Sequence, residues 1–160
     1  MGNPSLGRQV KPPDLALIDS AVPILAAGDP SELRSSCRRL IEMGASRRIR
    51  LLASTEMIQE FTFHRLRRTG DRQRSVTEAE ELMAFIETVP FDNSILRDSL
   101  ELIRKTSLIR GRDAVHAATA LALGLEWVIT PDNDFDGVPG LSRLDPAAID
   151  FGESPAQAGH

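Results

Sequence analysis

Two neighbouring segments decide the fold: Asp113-Ala-Val-His-Ala-Ala-Thr-Ala-Leu-Ala-Leu-Gly124 and Trp127-Val-Ile-Thr130-Pro-Asp132-Asn-Asp134-Phe135. The first opens on an acid, as the positive end of a helix dipole favours, and runs through almost unbroken apolar residues to a stop at Gly124. A helix that is apolar all round must be buried. The second begins as a short apolar strand over residues 127–130 and breaks into a polar turn carrying two acids. A buried helix feeding directly into a buried strand points to an α/β domain.

The same alternation extends outward in both directions. Leu15-Ala-Leu-Ile18 is a short apolar run of the kind found in buried parallel strands, and it ends on Asp19. Further strands are expected at residues 49–53 and 88–91, with a last edge strand at 141–144. Asp29-Pro-Ser-Glu32 reads as a helix start, with Asp29 as N-cap and Glu32 completing a capping box; Leu33, Cys37, Leu40 and Ile41 then form its inward stripe. Ser54 is placed to cap a helix bearing Glu56 and Glu60. Thr77 and Glu80 suggest a third start, with Ala79, Leu82, Met83 and Ile86 turned inward. Residues 93–106 are expected to be helical with Ile95, Leu96, Leu100 and Ile103 as the core face. Strands alternating with helices imply a parallel sheet covered on both faces, with the functional site at the carboxyl ends of the strands.

Composition narrows the class. A chain of 160 residues fits one domain, expected over residues 15–146, with flexible extensions at 1–14 and 147–160. One cysteine, Cys37, and three histidines support neither a disulfide framework nor a zinc cluster, which fits a reducing, cytoplasmic setting. No apolar run approaches the roughly 20 residues that span a bilayer. The net charge of −4 conceals an asymmetry: eleven arginines stand against four acids between Arg34 and Arg74. That patch is either a solvated helix face or a footprint for a polyanion.

The acids carry the chemistry. Asp19 follows the first strand directly, and Asp132 and Asp134 follow the fourth. Asp113 opens the buried helix, where it could equally serve as a first-turn acid. Glu60 lies between Met57 and Phe63 on the border of an apolar stripe, where a carboxylate needs a partner. Glu56 reads as an ordinary dipole-favouring acid of the first turn, and His116 as a satisfied core histidine. Carboxylates gathered at one point repel, and a divalent cation neutralises them economically. An all-oxygen donor set selects a hard ion, Mg²⁺ or Mn²⁺, which polarises phosphoryl oxygens and activates water. A phosphatase with a strand-terminal Asp nucleophile fits less well, because Asp19-Ser-Ala-Val-Pro lacks a second acid two residues on.

The ordered set Asp19-Ser20, then Ser54-Thr-Glu-Met-Ile-Gln-Glu60-Phe, Arg112-Asp113-Ala-Val-His-Ala-Ala-Thr-Ala-Leu-Ala, and Val128-Ile-Thr-Pro-Asp132-Asn-Asp134-Phe resembles PIN domains, and most of all the VapC toxins of VapB–VapC toxin–antitoxin pairs. The resemblance runs from Leu15 to Pro146. It implies a three-layer α/β/α sandwich around a mostly parallel sheet of four to five short strands. It also implies a metal site of Asp19, Glu60, Asp113 and Asp132, with Asp134 as the alternative fourth acid and Ser20 and Thr130 as supporting hydroxyls. The implied activity is metal-dependent endoribonuclease cleavage, with RNA as substrate, a VapB-like antitoxin as partner and a homodimer as the assembly. Arg110, Arg112, His64 and Arg67 are the expected RNA contacts. One departure stands out: where the family has Asn two residues after the first Asp, this chain has Ala21. That leaves room for an alternative, a catalytically impaired PIN-fold module that binds RNA or protein.

Overall fold

A computed structural model describes residues 7–152. Five parallel strands, β1 (Leu15–Ile18), β2 (Arg50–Ser54), β3 (Glu87–Val89), β4 (Trp127–Ile129) and β5 (Ser142–Leu144), lie in the order β3-β2-β1-β4-β5. Six helices connect them: α1 (Ala21–Ala26), α2 (Glu32–Ala45), α3 (Thr55–Thr69), α4 (Arg72–Met83), α5 (Asn93–Lys105) and α6 (Gly111–Ala122).

Strand alternation sorts the core into two layers. Ala16, Ile18, Leu51, Ala53 and Ile129 face the side on which Cys37, Leu40, Met57 and Phe61 pack. Leu17, Leu52 and Val128 face the other side, against Ala114, Ala117 and Ala120. Those alanines come from the segment that reads as a buried helix, and residues 114–120 are indeed all buried. Small side chains let α6 lie close to the sheet on one side and receive α5 on the other. The expected three-layer sandwich is therefore present, with β1 at its centre.

Several local expectations change. α2 is capped by Ser31, whose hydroxyl accepts from the Arg34 amide at 3.0 Å. The carboxylate of Asp29 is instead engaged by Arg68 at 2.8 Å, which removes it from the capping role. α4 starts five residues before Thr77, because Gly70 ends α3 in the left-handed conformation and Asp71 caps the next helix at once. The polar run Arg72-Gln-Arg-Ser hid this start, since it carries no apolar period. Met83 points outward, and β3 is shifted toward the N-terminus of the expected 88–91.

The outer face of α5 differs most: Ile95 is buried, but Leu96, Leu100 and Ile103 are exposed. Ser99, not Leu100, faces the core, and the small hydroxyl, bonded to the Leu96 carbonyl, suits the close approach to α6. Within the flanks expected to be flexible, Val10 bridges Ile149, and both strands of that bridge exchange backbone hydrogen bonds at 2.8 Å. The remaining parts of those flanks, residues 1–6 and 153–160, lie outside the described residues.

Candidate metal-binding nuclease site

The sheet order explains why distant acids meet. β1 pairs with β2 on one side and β4 on the other, so the chain reverses direction of winding between β1 and β4. Crevices form at such points, beyond the carboxyl ends of the strands. Ile18 is registered with Ile129, which places Asp19 beside Thr130, one residue past the pair. On the other flank, β2 runs into α3, whose second turn bears Glu60. α6 enters from below with Asp113 in its first turn.

One carboxylate oxygen each of Asp113, Asp132 and Asp134 lies within 4.8 Å of the others. The turn after β4 builds this trio: the Asp132 amide donates to the Thr130 hydroxyl at 3.0 Å, and the Asp134 amide donates to Asp132 Oδ1 at 2.9 Å. Thr130 is thus the buried post on which the turn hangs. Both candidates for the fourth acid, Asp132 and Asp134, stand in this group with Asp113.

Asp19 stands apart in character. It is 2% exposed, and its Oδ1 has no hydrogen-bond partner among the described residues. Burial pushes its pKa up to about 7; the fields of His116 and the Thr130 hydroxyl oppose the rise, while the charges of Asp113 and Asp132 add to it. Asp113 is raised to about 6, by burial first and then by Asp132, against the pull of His116, with Glu60 and Asp134 adding to the rise. No ion pair reaches Asp19, Asp113, Asp132 or Asp134 among the described residues. Asp19 is outside the group of three that converges, but it lies within the field of Asp113 and Asp132. An orphaned buried carboxylate oxygen near a cluster of hard oxygen donors fits a divalent ion.

Glu60 is differently placed. Burial presses its pKa upward, but His116, Ser20 and Arg112 outweigh that and hold it below the usual carboxylate range. His116 Nε2 lies 3.4 Å from Glu60 Oε2, and Arg112 Nη1 lies 3.7 Å from Oε1. His116 is fully buried, as expected of a core histidine, yet it is also the residue that steadies Glu60. Its place one turn after Asp113 was the available signal. Glu56, read as a dipole acid, also holds Arg112 Nε at 3.2 Å.

Beside Glu60 opens a cleft of about 370 Å³ lined by Phe63, His64, Arg67, Arg68 and Arg112 together with Ile24. Three expected RNA contacts, His64, Arg67 and Arg112, meet there. Arg110 does not; it is the exposed N-cap residue of α6. Burial, and then Arg65, Arg68 and Arg67, hold the His64 pKa below its usual value, which favours the neutral ring. The basic stretch is less free than its sequence suggests: Arg50 is tied to Glu87, Arg68 to Asp29, and both Arg65 and Arg74 to Glu78.

A topological-switch crevice lined by acids defines a class of metal-site α/β proteins, and comparison places the chain within it. The PIN domain family profile matches residues 16–141, and the chain belongs to that family. Among characterised relatives, Ribonuclease VapC7 of Mycobacterium tuberculosis is 28% identical over 136 residues, covering 84% of this chain and 93% of the relative. Ribonuclease VapC13 of the same organism is 24% identical over 131 residues, covering 81% and 99%. Among solved structures, a chain of a toxin–antitoxin complex from Klebsiella pneumoniae superposes with a TM-score of 0.60 at 21% identity, over 82% of this chain and 97% of that one, a likeness of fold.

Proposed function

We propose that the protein is a divalent-metal-dependent endoribonuclease acting as the toxin of a type II toxin–antitoxin pair. In this reading it works in the cytoplasm, with a VapB-like antitoxin as its partner and a homodimer as its assembly. The observation that carries the catalytic part is the convergence of Asp113, Asp132 and Asp134 near the orphaned Oδ1 of Asp19. The names of the relatives, VapC7 and VapC13 ribonucleases, and the toxin–antitoxin complex of similar fold support the biological part.

The residues divide the work. Asp19, Asp113, Asp132 and Asp134 hold the cation, Mg²⁺ or Mn²⁺, with Glu60 at the margin. When bound, the ion supplies charge neutralisation of the phosphodiester and activation of water for its attack. Ser20 and Thr130 keep the carboxylates in place from behind. Glu60, kept ionised by His116 and Arg112, is an acceptor on the cleft side of the site. Arg112 borders both the acidic pocket and the cleft, so its guanidinium is positioned to meet a phosphate oxygen there.

Ala21 offers no side-chain donor near Asp19, and this favours one second reading, a PIN-fold module that binds RNA without cutting it. RNA cleavage separates the two. With Mn²⁺ present, Asp19→Asn and Asp113→Asn are expected to lose at least about a hundredfold in rate, the scale of removing one electrostatic stabiliser. Cleavage by both variants at the native rate would overturn the proposal.

A further inference from the structure

Phe63 is the one aromatic side chain lining the cleft beside Glu60, and it is 48% exposed. Its spacing from Glu60, three residues along α3, puts it on the same helix face as the acidic margin of the site. The sequence assigns this position to an apolar stripe with Met57, yet Met57 is fully buried and Phe63 is turned out into the cleft. A lone exposed phenylalanine on a surface needs no explanation. This one is set among cations: the Arg67 guanidinium carbon lies 5.7 Å from its ring centroid, and Arg68 and Arg112 line the same cleft. Arg67 has no ion pair among the described residues, so its charge is available while it braces the ring.

An aromatic face within a groove of positive charge matches a ligand that has both a planar π face and a phosphate chain. That combination is how proteins bind unpaired nucleic acid: cations track the backbone and aromatic rings stack on bases. A paired base keeps its faces inside the helical stack and cannot use such a ring. An acidic protein segment would pair with the same cations but brings no planar base to the ring, so the comparison of unpaired with duplex RNA separates the two.

We infer that Phe63 is a base-stacking platform for one unpaired nucleotide next to the cleaved phosphodiester. The inference rests on the ribonuclease reading for its location and adds to it a binding residue. Arg67, set over the ring, contributes charge to the backbone that follows.

The test uses the full chain carrying Asp113→Asn, so that RNA is bound without being cut, and reads anisotropy of a labelled oligonucleotide. Phe63→Leu is expected to weaken binding of an unpaired RNA by about 5- to 100-fold, the range for loss of one stacked base, and to leave a perfect duplex of equal length unchanged. Phe63→Trp is expected to keep the affinity, with indole emission quenched on RNA addition relative to the parent's Trp127 signal. Thermal melts verify that both variants remain folded. If Phe63→Leu binds unpaired RNA as the parent does, or loses single strand and duplex alike, the platform is overturned and the ring is left to a protein partner. Failure of the native chain to cut the same oligonucleotide, with the Phe63→Leu loss intact, would overturn the nuclease reading while sustaining the platform.

Discussion

Asp19 shows how one residue links sequence to chemistry through burial. The strand Leu15–Ile18 delivers it to the centre of the sheet, where a carboxylate would be expelled unless something paid for its charge. With its pKa near 7 against about 3.9 in the unfolded chain, the folded protein binds a proton there that the unfolded chain has released. The sign follows: in chelator, this group's stabilising contribution is complete below about pH 4 and is lost as pH rises toward 7. Asp113 adds the same trend up to about pH 6. Asp19→Asn should therefore be more stable than the parent at pH 8 in chelator, by on the order of a few kcal/mol, and so melt at a higher temperature. The gap should close near pH 4. Reading the difference between variant and parent cancels the opposite, acid-side losses of groups such as Glu78. An equal melting temperature at pH 8 would mean that Asp19 is not under this strain.

At the scale of elements, the sequence was most legible where burial is total. The α6–β4 segment declared itself because nothing polar interrupts it, and the strand-terminal acids followed from it. It was least legible where tertiary partners decide. Asp29 looked like a cap until Arg68 claimed it, and of the apolar stripe expected on α5 only Ile95 is buried, because Ser99, not Leu100, meets α6. Arg65 is the sharpest case: part of a basic run in sequence, it is 4% exposed in the fold. Its guanidinium reaches Glu78 at 2.6 Å and the Ala27 carbonyl at 3.4 Å, tying α4 and the end of α1 to α3. Removing one member of such a pair strands the other charge. Glu78→Ala should cost about 3 kcal/mol or more by denaturant unfolding, whereas Arg74→Ala, at the exposed side of the same carboxylate, should stay within about 1 kcal/mol. Equal effects would show that Arg65 does not depend on Glu78.

For the whole molecule, the net charge of −4 combines two regions with opposite tasks. The acids cluster at the switch point, and Arg67, Arg68 and Arg112 border the cleft that leads to it. That juxtaposition could not be read from the sequence, because the register of β1 with β4 and the entry of α3 set it. Glu60, Asp113 and Asp132 could be named from their spacing. The approach of Asp134 to Asp113 and Asp132, the bracing of Glu60 by His116, and the outward turn of Phe63 required the packed fold.

The central claim is that these elements assemble a divalent-cation site, and a calorimetric titration with Mn²⁺ at pH 8 tests it on the native chain and on Asp113→Asn. The account predicts a saturable site in the native protein, with heat that is nearly independent of buffer ionisation at pH 8 but varies with it when the titration is repeated at pH 6, where Asp19 and Asp113 still hold protons to release as the ion enters. It also predicts affinity at least about tenfold weaker in Asp113→Asn, since even a supporting residue behind a ligand costs that much. No Mn²⁺ binding by the folded native chain, or the same binding by both proteins, would contradict it.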